Sequence, residues 1–198
     1  MIVTPVTMPW EILDRMERAV AKVRERLLRT TAVLNKAGIP YAVVGGNAVA
    51  SWVSTVDEGA VRNTRDVDLL VRREDLPAIT AALEQAGFVR AEVLDVPMFL
   101  DGPDAKPSES IHLLFAGEKV RPEHPLPSPH LAAVDDPAGF RVLPLPSLVY
   151  MKLLSHRLKD QVHVRDLIGV GLIDRSWVAR VPPVLAGRLR EMLDTPEY

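Results

Sequence analysis

Two aspartates separated by a single residue, Asp66-Val67-Asp68, carry the spacing in this chain that best suits a metal ion. Alternate residues of a strand face the same side, so the two carboxylates project together while Val67 points into the core. Carboxylates held a few ångströms apart repel unless a cation or a proton lies between them. Hard oxygen ligands of this kind suit Mg²⁺ or Mn²⁺, whose remaining positions take water and phosphate oxygens. A solvent-facing Asp-x-Asp at a strand edge would read the same, so a second feature has to decide. Gly45-Gly46 follows the apolar run Tyr41-Ala42-Val43-Val44. Glycine lets a phosphate approach the backbone with no Cβ in the way. Asn47 is placed to N-cap a helix running to about Val53, whose first turn offers N–H groups and the positive end of its dipole. The order strand, Gly-Gly turn, helix, polar loop, Arg-x-Thr-x-Asp-x-Asp is far more specific than either pair alone.

The elements that position these residues follow from periodicity. Trp10, Leu13, Met16, Val20, Val23, Leu27 and Leu34 recur at helical spacing between Pro9 and Ala37. Gly38-Ile39-Pro40 ends that helix, and 41–44 reads as a buried strand. A polar, glycine-containing loop spans about 54–65, a second strand 67–71, and a helix 76–86 stopped by Gly87. Strand-like pieces follow at 88–94, 98–100 and 111–115. Residues 122–146 hold many of the 17 prolines and read as an extended connection with one short strand near 140–143. Ser147 then caps a helix to about Lys159, with further helical sequence at 162–170 and 177–193. Helical spacing places Lys152 and His156 on one face, with Lys159 and Asp160 one turn further on. The pattern predicts an α/β (α+β) domain over 1–145 and a small helical subdomain over 146–198. Trp10, Trp52 and Trp177 read as core anchors, His124 and His130 as surface residues.

Composition excludes several classes. The chain has 198 residues, 47% apolar and 25% charged, enough for one ordinary core. Lys+Arg of 24 against Asp+Glu of 26 gives a net charge of −2, unlike proteins that coat nucleic acid, although a local basic patch could still touch an RNA end. Cysteine is absent, which removes disulfides, thiolate catalysis and cysteine-ligated zinc or iron–sulfur sites. Early acidic residues, Glu11, Asp14 and Glu17, break any signal-peptide pattern, and no apolar run reaches the ~18 residues of a membrane span. A cytoplasmic setting is expected.

The segment YAVVGGNAVASWVSTVDEGAVRNTRDVDLLV resembles the opening motif of the nucleotidyltransferase-fold superfamily, in particular the bacterial branch of AbiEii/AbiGii-type toxins and related small nucleotidyltransferases. The resemblance implies a nucleotidyltransferase-like mixed β-sheet flanked by helices, with Gly45 and Gly46 in the phosphate turn and Asp66 and Asp68 as metal ligands. MKLLSHRLKDQVHVRDL resembles the family's later helical segment. It implies that Lys152 reaches nucleotide phosphates and that Asp160 orients Lys152 or takes part in acid–base work. The superfamily usually supplies a third carboxylate from a neighbouring strand. Here that strand is Ser110–Phe115, and His112 stands where the acid is expected. Histidine can ligate Mn²⁺ or Zn²⁺ or act as a base, but it is a poor Mg²⁺ ligand, and a purely structural histidine is equally open. Alternation puts Glu109 on the opposite face.

These residues imply a metal-dependent transfer of NMP from an NTP to an acceptor hydroxyl. Asp66, Asp68, His112 and Asp160 are the candidate catalytic groups. Gly45, Gly46, Asn47, Arg65 and Lys152 are the candidate nucleotide contacts. Mg²⁺ or Mn²⁺ is the expected cofactor, with tRNA, a protein or a small molecule as acceptor. The toxin resemblance adds an antitoxin as partner. Two alternatives stand beside it: an inactive domain of the same fold that binds nucleotide or a partner, and a plain structural α/β protein.

Overall fold

The computed structural model describes residues 10–93, 96–106 and 109–195. The ends of two expected elements, Pro9 and Leu94, lie outside the described residues. Helix α1, Trp10–Lys36, is 27 residues long, and only its second half meets the body of the protein. Arg26, Leu27, Thr30, Thr31 and Leu34 are buried there, whereas Trp10 is 78% exposed. A helix of that length extends about 40 Å and overruns the sheet it packs on. Trp10 is therefore not a core anchor. Trp177 is buried, and Trp52 is half-buried with its indole N–H donating to the Leu143 carbonyl at 3.0 Å.

The chain then forms β1 (Ala42–Val44), α2 (Gly45–Ser54), β2 (Val67–Val71), α3 (Leu76–Gln85), β3 (Val89–Val93), β4 (Val96–Leu100) and β5 (Ser110–Phe115). Two short strands follow, β6 (Val134–Asp135) and β7 (Arg141–Val142). They make one seven-stranded mixed sheet in the order β3-β4-β5-β2-β1-β7-β6. Strand β1 runs antiparallel to β2, and β2 runs parallel to β5. All of β1 is buried, and β5 alternates: Ile111, Leu113 and Phe115 enter the core while His112 and Leu114 face the other side. That alternation is what a half-covered strand requires. Asp68 in β2 is aligned with His112 in β5 and with Val44 in β1, so the centre of the sheet brings the chemical residues together.

Helices α4 (Leu145–Ser155), α5 (Leu158–Gly169) and α6 (Pro183–Asp194) pack on one another, and α4 and α5 also pack on α2. One apolar cluster joins them to the sheet, from Leu34 and Leu69 through Leu148 to Leu189. The boundary expected at 145 and 146 falls in the first turn of α4.

Three helical expectations are corrected. Ser147 is not a cap: α4 begins at Leu145 because Pro146 fits the first turn, where no intrahelical N–H is needed. Nor does the helix continue to Lys159. His156 adopts a left-handed conformation (φ 52°), its N–H closes on the Lys152 carbonyl at 2.9 Å, and α5 starts afresh at Leu158. Further on, Pro182-Pro183 separates a short 3-10 turn at Arg175–Ala179 from α6, where one helix was expected. Among the described residues, no helix is long and apolar enough to cross a membrane.

Candidate active site

The turn after β1 is built around Asp68. Gly45 has φ +68°, and a Cβ added there would lie 1.9 Å from Asp68 Oδ2 and 2.9 Å from its Cβ. A residue with a side chain would be strained by the backbone and would collide with the aspartate as well. Gly46 is close-packed too, since its added Cβ would meet Thr64 Oγ1 at 2.8 Å. The loop before β2 therefore lies directly on the Gly-Gly turn. Helix α2 starts at Gly45 with Val44 as its cap residue, so Asn47 sits inside the first turn and is not the N-cap. Its side-chain N–H instead donates to the Asp66 carbonyl at 2.8 Å, tying the helix to the start of β2.

Across the parallel pair β2–β5, His112 Nδ1 lies 3.2 Å from Asp68 Oδ1, and its Nε2 lies 3.0 Å from Ser110 Oγ. Burial pushes the Asp68 carboxyl up, but the hydrogen bond and charge of His112, with the charges of Lys152 and Lys159, hold it below its ordinary value. The hydrogen bond to Asp68 correspondingly raises the His112 imidazole against the opposing effect of burial, helped by the charges of Asp68 and Asp66. Glu109, just before β5, pairs with Arg26 at 3.7 Å.

The helical part adds a buried ion pair. Lys152 Nζ reaches Asp160 Oδ1 at 3.1 Å, and Arg157 Nε reaches the other oxygen at 2.8 Å. Lys152 is 6% and Asp160 1% exposed, so neither charge is satisfied by water. Burial would raise the Asp160 carboxyl, but the hydrogen bond from Arg157 and the charges of Lys152 and Arg157 lower it to about 2. Burial lowers Lys152 from its ordinary value, opposed by Asp160 and Asp68. The break at His156 makes this geometry possible, because it lets the start of α5 fold Asp160 back against α4. His163, one turn beyond Asp160 in α5, is buried and pushed down to about 4 by burial and the Lys152 charge, so its imidazole is neutral at pH 7.

Gly45, Asp68, His112, Lys152 and Asp160 all line one cavity of about 520 Å³. Asp66 stands just before β2 and acts on His112 through its charge. Gly46, Asn47 and Arg65 do not line the cavity, and the Arg65 carbonyl accepts from Arg26 at 3.3 Å. Sequence reasoning missed Arg157, His163, His124 and Ser128. Arg157 had a signal, a cation three residues before Asp160 on a helix. His124 had none: it was expected at the surface but is 8% exposed, because the proline-rich segment folds over the cavity. His130 is exposed as expected.

A hard divalent cation held here would take Asp68, which lines the cavity, and Asp66 just before β2, which does not line it, with phosphate oxygens and water completing its shell. Among the described residues, no group of three or more acidic or histidine side chains is gathered for a metal. Any such ion would therefore rest on this pair plus its substrate.

No curated protein sequence matches the chain. Solved structures that share its fold include two of one protein. The solution structure of the antibiotic-resistance factor ANT(2'')-Ia covers 87% of this chain and 91% of that one, at 16% identity and a TM-score of 0.52. The crystal structure of ANT(2'')-Ia in complex with adenylyl-2''-tobramycin covers 82% and 94%, at 18% identity and a TM-score of 0.53. The sequence of residues 7–124, which carries the Gly-Gly turn, both aspartates and His112, matches the family described as uncharacterised nucleotidyltransferase, and the chain belongs to that family.

Proposed function

We propose that the protein transfers a nucleoside monophosphate from an NTP to an acceptor hydroxyl. The observation that carries this reading is the convergence of Gly45, Asp68, His112 and Lys152 on one cavity. The Gly45 turn holds Asp68 in place, and Asp66 and Asp68 together are the metal ligands. A Mg²⁺ or Mn²⁺ ion bound there would neutralise phosphate charge and acidify the attacking hydroxyl. Lys152, kept cationic by Asp160, faces the phosphates. The acceptor oxygen attacks the α-phosphorus while the bond to the pyrophosphate oxygen breaks. The hydroxyl proton passes to His112 Nε2, on the side of Ser110, while the ring is held by its Nδ1–H donating to Asp68. Gly46 and Asn47 act by holding the turn and the start of β2, and Arg65 is a further contact for the nucleotide.

The resemblance of the opening motif supports a toxin role, with a tRNA or protein acceptor and an antitoxin partner. The fold neighbour carrying an adenylated small molecule supports a small acceptor instead. A second reading rests on one observation: His112 closes on Asp68, which favours a domain that binds nucleotide without turning it over.

Label transfer from α-labelled NTPs separates the two. The expected result is product formation that requires Mg²⁺ or Mn²⁺ and stops with EDTA. Metal-dependent NTP binding without transfer to total RNA, protein or a broad small-molecule panel would instead establish the binding domain.

A further inference from the structure

The groove across the sheet has a direction. The phosphate turn lies at the end of β1, Asp68 lies on β2 with Asp66 just before it, and His112 lies on β5, on the far side of β2 from β1. An in-line displacement sets the attacking oxygen opposite the departing pyrophosphate. If the phosphates occupy the β1 end, the acceptor enters from the β5 end. The chain that leaves β5 closes that end: Leu114 and the segment 120–128 line the same cavity as His112.

That segment is fixed, and two of its polar side chains are left waiting. The Ser128 N–H donates to the Glu118 carbonyl at 2.7 Å, and the Tyr150 hydroxyl donates to the Pro127 carbonyl at 2.6 Å. Yet His124, 8% exposed, has no hydrogen-bond partner for Nδ1, and Ser128, 3% exposed, has none for Oγ. Polar groups so deeply buried are almost always bonded, so their presence in a cavity wall points to a ligand that completes them. Burial lowers the His124 pKa, which makes it a neutral hydrogen-bonding group and not a cation. At the rim, Arg121 lies 3.8 Å from Glu123, and the two charges offset each other.

We propose that His124 and Ser128 form the acceptor-binding wall of this site, and that the acceptor is a small, uncharged or anionic hydroxyl compound. This rests on the transferase reading above. A polyamino sugar would need an acidic wall, and this wall has none in excess. RNA would need a basic approach, whereas the chain carries a net charge of −2 and the rim is balanced. A cavity of about 520 Å³ falls within the range of small-molecule sites.

The test uses the full chain with Mg²⁺ and α-labelled NTPs. The acceptors offered are monosaccharides, nucleosides, hydroxy acids, a polyamino sugar and total RNA. Calorimetry of a non-hydrolysable NTP runs in parallel. Label is expected on a neutral or anionic hydroxy compound. His124→Ala and Ser128→Ala should each raise its KM about tenfold, while NTP affinity stays within about twofold. His124→Gln, which keeps a hydrogen-bonding side chain, should recover part of the loss and serves if His124→Ala does not fold. Label on RNA or the polyamino sugar would overturn the proposal. So would unchanged acceptor KM, or NTP binding with no hydroxy compound labelled. Wild-type protein that binds no NTP would remove the transferase reading and this proposal together.

Discussion

Gly45→Ala is expected to lower nucleotidyl transfer by at least about 100-fold, because it displaces the carboxylate on which the site depends. Its effect is not that of an ordinary turn substitution. The backbone at φ +68° already disfavours a side chain by about 1–2 kcal/mol. The new methyl would lie within 2.9 Å of Asp68 Cβ as well as 1.9 Å from Oδ2, so a rotation of the carboxylate alone cannot clear it. Either β2 moves away from the turn or Asp68 leaves its place beside His112. Both outcomes would weaken metal-dependent NTP binding, while far-ultraviolet circular dichroism should show the fold retained. A Gly45→Ala protein with wild-type transfer and NTP affinity would mean that the turn and Asp68 are not one unit.

Asp160→Asn is expected to destabilise the protein by about 3 kcal/mol, the scale of breaking a buried ion pair from one side. Lys152 would remain almost fully buried with its main counter-charge gone, and Arg157 would lose its carboxylate. Burial also works against Lys152, so the net contribution of the pair is smaller than the attraction alone suggests. The pH dependence is specific. The folded pKa of Asp160, about 2, lies below that of an unfolded aspartate, so its contribution is complete above about pH 4. It disappears as the pH falls through 2. Urea unfolding across this range should show the gap between wild type and Asp160→Asn closing toward acid. A gap that stays constant from pH 7 to pH 2, or never exceeds about 1 kcal/mol, would show that the carboxylate is not the partner holding Lys152 in place.

The parts of the site that were legible in the sequence are those fixed by local rules. Alternation along β2 and β5 placed Asp68 and His112 on facing positions, and the parallel register then put them side by side. The Gly-Gly turn announced a close approach, although its closest contact proved to be Asp68 itself. What could not be read depended on long-range folding. The break at His156 requires a non-glycine residue in a left-handed conformation, which histidine favours too weakly for its presence to mark a break. Without that break, the pairing of Lys152 with Asp160 looked like neighbours on one helix. The exposure of Trp10 follows from where the sheet ends, not from the periodicity of α1, which continues past it. The burial of His124 arises because a proline-rich connection lies over the cavity, and composition alone suggested surface.

Binding of a metal-bound nucleotide by the Asp66–Asp68 pair is the property on which the proposed transfer depends. Calorimetric titration with a non-hydrolysable NTP, with and without Mn²⁺ or Mg²⁺, measures this independently of turnover or acceptor. The expected result is binding by the wild type only with metal, and a loss in Asp66→Ala/Asp68→Ala beyond the roughly 10–100-fold typical of removing partners one step from a metal. Equal affinity in the double variant, or wild-type binding indifferent to metal, would contradict the account.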